Sequence, residues 1–130
     1  MTRRQLANLF RAERRAFASR FPRVRRASLY LGRRPKGAPL RSFAQAETGG
    51  RAPRVTLFAE ALRLPRRNIL GLIRHELGHV ADPTPRRRGK EQRADDIAEA
   101  VSGARIRYEL PAAVQSVGRG VYPRPCWIHQ

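Results

Sequence analysis

Cysteine, lysine, carboxylates and long apolar runs are all scarce in this sequence. A single cysteine, Cys126, in 130 residues excludes an intramolecular disulfide framework and a cysteine-based zinc finger. No stretch approaches ~18 consecutive apolar residues, which excludes a transmembrane helix; no membrane partner is expected. The start, Met1-Thr2-Arg3-Arg4, is basic, but no apolar run of roughly 7–15 residues follows it, so a secretory leader is not expected. Residues 3–20 are amphipathic, Arg-rich and acid-poor, a superficial likeness to a mitochondrial presequence; the cytoplasm is the expected compartment. No period is sustained, which removes the collagen-like, coiled-coil and low-complexity classes. What is present is a 41% apolar chain of one domain's length, with no linker to divide it.

The charge that is present is lopsided. There are 28 basic residues against 10 acidic ones, a formal net charge of +18. Only Lys36 and Lys90 are lysines, so 26 of the basic residues are arginines, a bias that a GC-rich genome produces as readily as function does. Its distribution is more telling. Residues 1–59 hold 15 basic residues and two acids, Glu13 and Glu47. Most of the acids gather later, at Glu76, Asp82, Glu91, Asp95, Asp96 and Glu99. A basic protein that concentrates its carboxylates in one window is expected to neutralise something cationic there.

The apolar spacing predicts a helix over 3–20, with Leu6, Leu9, Phe10 and Phe17 on one face and Pro22 ending it. Residues 24–31 read as a strand, 32–37 as a turn or hairpin loop, and 40–47 as its partner strand around Phe43. Residues 54–59 (Arg-Val-Thr-Leu-Phe-Ala) are the strongest strand signal, being β-branched and aromatic. From Pro65, the apolar positions Ile69, Leu72, Ile73, Leu77 and Val80 recur with helical period through residue 81. Asp82-Pro83-Thr84-Pro85 stops that helix. A second helix is expected over about 90–102, with Ala94, Ile97, Ala98 and Val101 inward. Residues 104–110 read as a strand or a helix continuation, and 118–130 as an irregular tail holding Tyr122, Cys126, Trp127 and His129.

His75-Glu76-Leu77-Gly78-His79 lies inside the first of these two helices. A spacing of four puts both imidazoles on one face, one turn apart, able to grip one metal ion. Glu76, rotated roughly 100° around the helix, falls beside the ion's open position, where it can take a proton from an activated water. Neutral imidazole suits zinc in softness. The bland alternative is an amphipathic helix with two surface histidines. A third ligand is then needed. Glu91 and Asp95 share a face of the second helix, and like charges at that spacing repel unless a cation sits nearby. They read as a metal ligand and a carboxylate that orients a ligand histidine through its far nitrogen, or else as a solvated acidic face paired with Arg87, Arg88 and Arg93. Asp82, three residues after His79, is the rival ligand. Gly78 and Ala94 are small enough to let the two helices approach closely.

His75-Glu76-Leu77-Gly78-His79 followed by Glu91-Gln92-Arg93-Ala94-Asp95 resembles the gluzincin metallopeptidases, whose thermolysin-type members carry HExxH and then ExxxD on a second helix. The resemblance covers about residues 54–102, including 54–59 as an edge-strand candidate. It implies zinc bound by His75, His79 and Glu91, with Glu76 as general base and Asp95 orienting a histidine. The interval from His79 to Glu91 and the whole chain are short for the large enzymes. The sequence looks more like a minimal gluzincin, or the small SprT-like and ImmA-like zincins of bacteria and phages. The expected fold is therefore α+β: a small twisted sheet packed against the HExxH helix and the glutamate helix, with an N-terminal helix covering it. Tyr108, Tyr122, His129 and Arg107 are the candidates for the oxyanion-stabilising group, and nothing in the sequence chooses among them; Tyr108 is the one carried forward. Minimal gluzincins are known for C-terminal segments that block the cleft; here Cys126 offers a thiolate to the open position, although free cysteine is among the most buried residue types and a core role is the more ordinary reading.

The second theme is the crowd of arginines at positions 3, 4, 11, 14, 15, 20, 23, 25 and 26. Phosphate contacts with nucleic acid are the natural use of such a face, and no sequence-reading motif accompanies it. A solvated basic surface is the plain alternative. Two functions from different classes follow: a zinc peptidase acting on proteins or peptides, or a nucleic-acid-associated or virion structural protein that keeps a stabilising metal site.

Overall fold

The computed structural model describes residues 1–37, 43–49, 51–83 and 89–104. Tyr108, Cys126 and the tail, with the expectations attached to them, lie outside the described residues.

Helix α1 runs Arg3–Ala18, opened by a capping box in which the Thr2 side chain accepts from the Gln5 backbone and Gln5 answers to Thr2. Leu6, Phe10 and Phe17 form its buried stripe. The segment expected to begin a strand at residue 24 is instead a 3-10 helix, Pro22–Arg26. Its period explains the difference: Val24 and Ala27 are buried three residues apart while Arg23, Arg25 and Arg26 face solvent, and proline fits the first helical turn. Strand β1 follows at Ser28–Gly32, then β2 at Ala44–Glu47 and β3 at Arg54–Phe58.

The sheet order is β1-β3-β2. β1 pairs with β3 in parallel, Leu29 opposite Val55 and Leu31 opposite Leu57. β2 pairs with β3 antiparallel, Ala44 opposite Leu57 and Ala46 opposite Val55. This corrects two expectations. The segment around Phe43 is not the hairpin partner of β1, and 54–58 is not an edge. The strand richest in β-branched and aromatic residues takes the centre, where it is flanked on both sides, with Val55, Leu57 and Phe58 buried.

A second 3-10 helix, Ala59–Arg63, leads into α2, Arg66–Ala81. Pro65 caps α2 from the position just before it. Eleven of the 16 residues of α2 are buried, the pattern of a helix enclosed on nearly every side rather than one lying at the surface. The alanines of β2 leave room for it on one side, while α1 and α3 pack on others. Helix α3, Lys90–Ser102, is bounded by Gly89 and Gly103, both at positive φ, a conformation glycine adopts without strain. The chain is α+β, with a three-stranded mixed sheet against the HExxH helix and the glutamate-bearing helix, as anticipated. Among the described residues, no helix is long and apolar enough to cross a membrane.

Candidate metal centre

The site is made by the closeness of α2 and α3. A Cβ added to Gly78 would stand 2.3 Å from the Ala94 carbonyl oxygen and 2.9 Å from its Cα. No side chain larger than hydrogen fits there, so the glycine sets how near α3 lies. It does so despite costing ~1 kcal/mol relative to alanine in a helix interior.

That approach carries the first turn of α3 onto the histidines. His75 Nδ1 lies 2.6 Å from Asp95 Oδ1, and His75 Nε2 lies 2.7 Å from Glu91 Oε2. His79 Nε2 is 3.1 Å from His75 Nε2 and 3.2 and 3.3 Å from the two Glu91 oxygens. The two rings meet edge to face with centroids 4.7 Å apart. His75 and Glu76 are fully buried, and His79 and Asp95 are each 6% exposed. Surface histidines are thereby excluded. Glu91 in the first turn also sits where the helix dipole favours a carboxylate.

One ligand atom from each of His75, His79 and Glu91 can be chosen so that all lie within 4.8 Å of one another. Tetrahedral bonds of ~2.0–2.2 Å to nitrogen and oxygen put ligand atoms about 3.4 Å apart. The separations here, 2.7–3.3 Å, all fall below that value, as expected where the same groups hydrogen-bond one another directly. Two imidazoles and a carboxylate are also a donor set that zinc accepts, so these residues fit a divalent ion. Asp82 does not join them; its carboxylate is engaged by Arg93. The acids of this window therefore divide: Asp82, at the end of α2, turns to an arginine, while Glu91 and Asp95 of α3 turn inward.

Electrostatics say the same. Burial works against charge on His75, but hydrogen bonds to Asp95 and Glu91 and the negative charges of Glu76 and Asp95 outweigh it, pushing its pKa up to about 9. Without an ion, a proton on His75 supplies the positive charge that two facing carboxylates require. When that proton leaves Nε2, Nδ1–H still donates to Asp95, which fixes the tautomer and frees the Nε2 lone pair. Proton and metal thus compete for one place.

Two contacts escape a sequence-only reading. Arg74, next to His75, donates to Glu13 of α1 at 2.6 Å, bracing α2 from outside the motif. Glu13 is the sole carboxylate of the first 46 residues, which was the available signal. The Arg93–Asp82 pair had none, because Arg93 also has an acid, Asp96, one turn along its own helix.

No family model matches the chain, and no curated protein matches it in sequence. Among solved structures it is similar to the crystal structure of the metallopeptidase zymogen of Pyrococcus abyssi abylysin. The identity is 12%, the TM-score 0.47, and the match covers 78% of this chain and 99% of that one.

Proposed function

We propose that the protein is a zinc-dependent metallopeptidase of minimal, zincin-like build, acting on protein or peptide substrates. One observation carries this: His75, His79 and Glu91 converge while Asp95 holds the far nitrogen of His75. A structural ion needs only ligands; the motif also sets a carboxylate, Glu76, directly after the first histidine. Zinc is the favoured ion because its softness suits a set of two imidazoles and one carboxylate. Bound there, it supplies Lewis acidity, polarising a carbonyl and making water nucleophilic near neutral pH.

The protein's own groups do the rest. His75 and His79 present ring nitrogens from one helix face, and Glu91 closes the triangle from the next helix. Asp95 holds His75 in the ligating tautomer. Glu76 takes the proton of the attacking water on its carboxylate and passes it to the leaving amine. The oxyanion role falls to Tyr108 in this reading. The cytoplasm is the compartment taken in this reading.

The test is Glu76→Gln, assayed on a pool of unfolded protein and fluorogenic peptides. Hydrolysis is expected to fall by ~10²–10⁴-fold with metal content unchanged. The rival is a purely structural metal site. It predicts no hydrolysis by the zinc-loaded wild type, and unfolding of His75→Ala.

A further inference from the structure

We propose that α1 and the Pro22–Arg26 turn form a phosphate-binding groove for the backbone of double-stranded nucleic acid, without sequence preference. This stands independently of the metal site.

Arg11, Arg14, Arg15 and Arg25, with Ala18 and Ser19, line a cavity of about 430 Å³. Arg11, Arg14 and Arg15 share a face of α1 because they are three and four residues apart, and the turn after α1 brings Arg25 across to them. Four like charges around one hollow repel, so the arrangement is expected to be completed by an anion. None of the four is paired with a carboxylate among the described residues, and Glu13, the one nearby acid in sequence, is taken by Arg74. Arg14 is held in place by donating to the Ala27 carbonyl at 2.8 Å and lying 5.6 Å from the Phe10 ring centroid. Arg11, Arg15 and Arg25 are exposed.

The chemistry of the lining selects the partner. Guanidinium forks match phosphate oxygens bidentately. Five further arginines belong to the same segment, at 3, 4, 20, 23 and 26; Arg20 and Arg23 donate to the Ala100 and Thr48 carbonyls, so the four around the hollow carry the proposal, and a run of phosphates matches four forks better than a single small anion does. No aromatic ring lines the groove, so an unstacked base has no platform. A duplex, whose phosphates lie outside and whose bases stay stacked, fits these features.

The experiment is equilibrium binding of the full chain to a fluorescent 20-base-pair duplex of mixed sequence, over a range of salt. Wild type is compared with Arg11→Gln/Arg15→Gln/Arg25→Gln and with Arg51→Gln/Arg63→Gln/Arg66→Gln, which removes equal charge from exposed positions elsewhere. Wild-type affinity is expected to fall with a log–log salt slope of about −3 to −4, at ~0.9 per phosphate neutralised. The groove triple should bind about tenfold or more weakly, with a slope shallower by ~2–3, while the second triple keeps most of its affinity. Equal loss in both triples, or a salt-independent affinity, would overturn the proposal. Groove-dependent binding to phosphatidylserine vesicles with none to the duplex would overturn it in favour of a lipid surface.

Discussion

Two helices of this protein carry like charges four residues apart, and the pairs meet opposite fates. Arg11 and Arg15 of α1 stand in solvent; Glu91 and Asp95 of α3 turn inward and close on either side of one imidazole. The intrinsic cost of the two pairs is similar, a few tenths of a kcal/mol each. What differs is the surface opposite. Facing α3 is a glycine that admits the Ala94 backbone and two histidines one turn apart on the same helix. Facing the α1 arginines is a hollow edged by another arginine. A charge pattern alone does not say whether it is a ligand set or a solvated face; the packing partner decides.

The comparison can be broken in order of expected size. The largest effect is on the metal-free protein's response to pH. His75 has a folded pKa of about 9 against 6.5 unfolded. Its contribution is therefore fully present below pH ~6.5 and is lost as pH rises through 9. Denaturant titrations of chelated protein should show a decline on the order of 3 kcal/mol across that window; a flat profile would mean that the carboxylates do not charge the ring. Next, Gly78→Ala should force the helices apart. The clash, at ~1–3 kcal/mol, outweighs the helical gain of alanine, so the melting temperature should fall by several degrees and metal retention should drop with it. A variant that melts normally would show that the close approach is not what seats Glu91.

Asp95→Asn tests the inner pair from the other side. Losing the carboxylate on the far nitrogen should weaken metal affinity by ~10–100-fold, measured by competition with a chelator. Unchanged affinity would reduce Asp95 to a packing residue. The smallest effect belongs to α1. Arg15→Gln relieves repulsion with Arg11 and Arg14 and should raise stability by no more than about 0.5 kcal/mol. A destabilisation of 1 kcal/mol or more would mean that the arginines hold the fold together rather than await a partner.

Much of the site was legible because its signals are local. HExxH fixes both histidines on one turn, and Glu91 and Asp95 declare themselves as neighbours that should repel. Choosing Glu91 over Asp82 was not local: it rested on the resemblance, and the fold agrees by placing Arg93 against Asp82. The sheet was half legible. Arg54–Phe58 announces itself by composition, yet the partners of a strand depend on the whole chain, so sequence neighbours suggest a β1–β2 hairpin where both strands in fact pair with β3. The 3-10 helices were missed for a related reason. Pro22–Arg26 carries one apolar residue, Val24, and Ala59–Arg63 buries only Ala61, too little for any period to show. Glu13, far from the motif, gained its role only when α1 folded onto α2.

The most direct test of the central claim is metal content by elemental mass spectrometry, on protein purified without a histidine tag. Wild type, Glu91→Ala and Asp82→Ala should be measured side by side. The proposed function predicts about one zinc per chain in wild type and in Asp82→Ala, and its loss in Glu91→Ala. A wild type that takes up no zinc from excess, or a Glu91→Ala that holds it as tightly as wild type, would contradict the site.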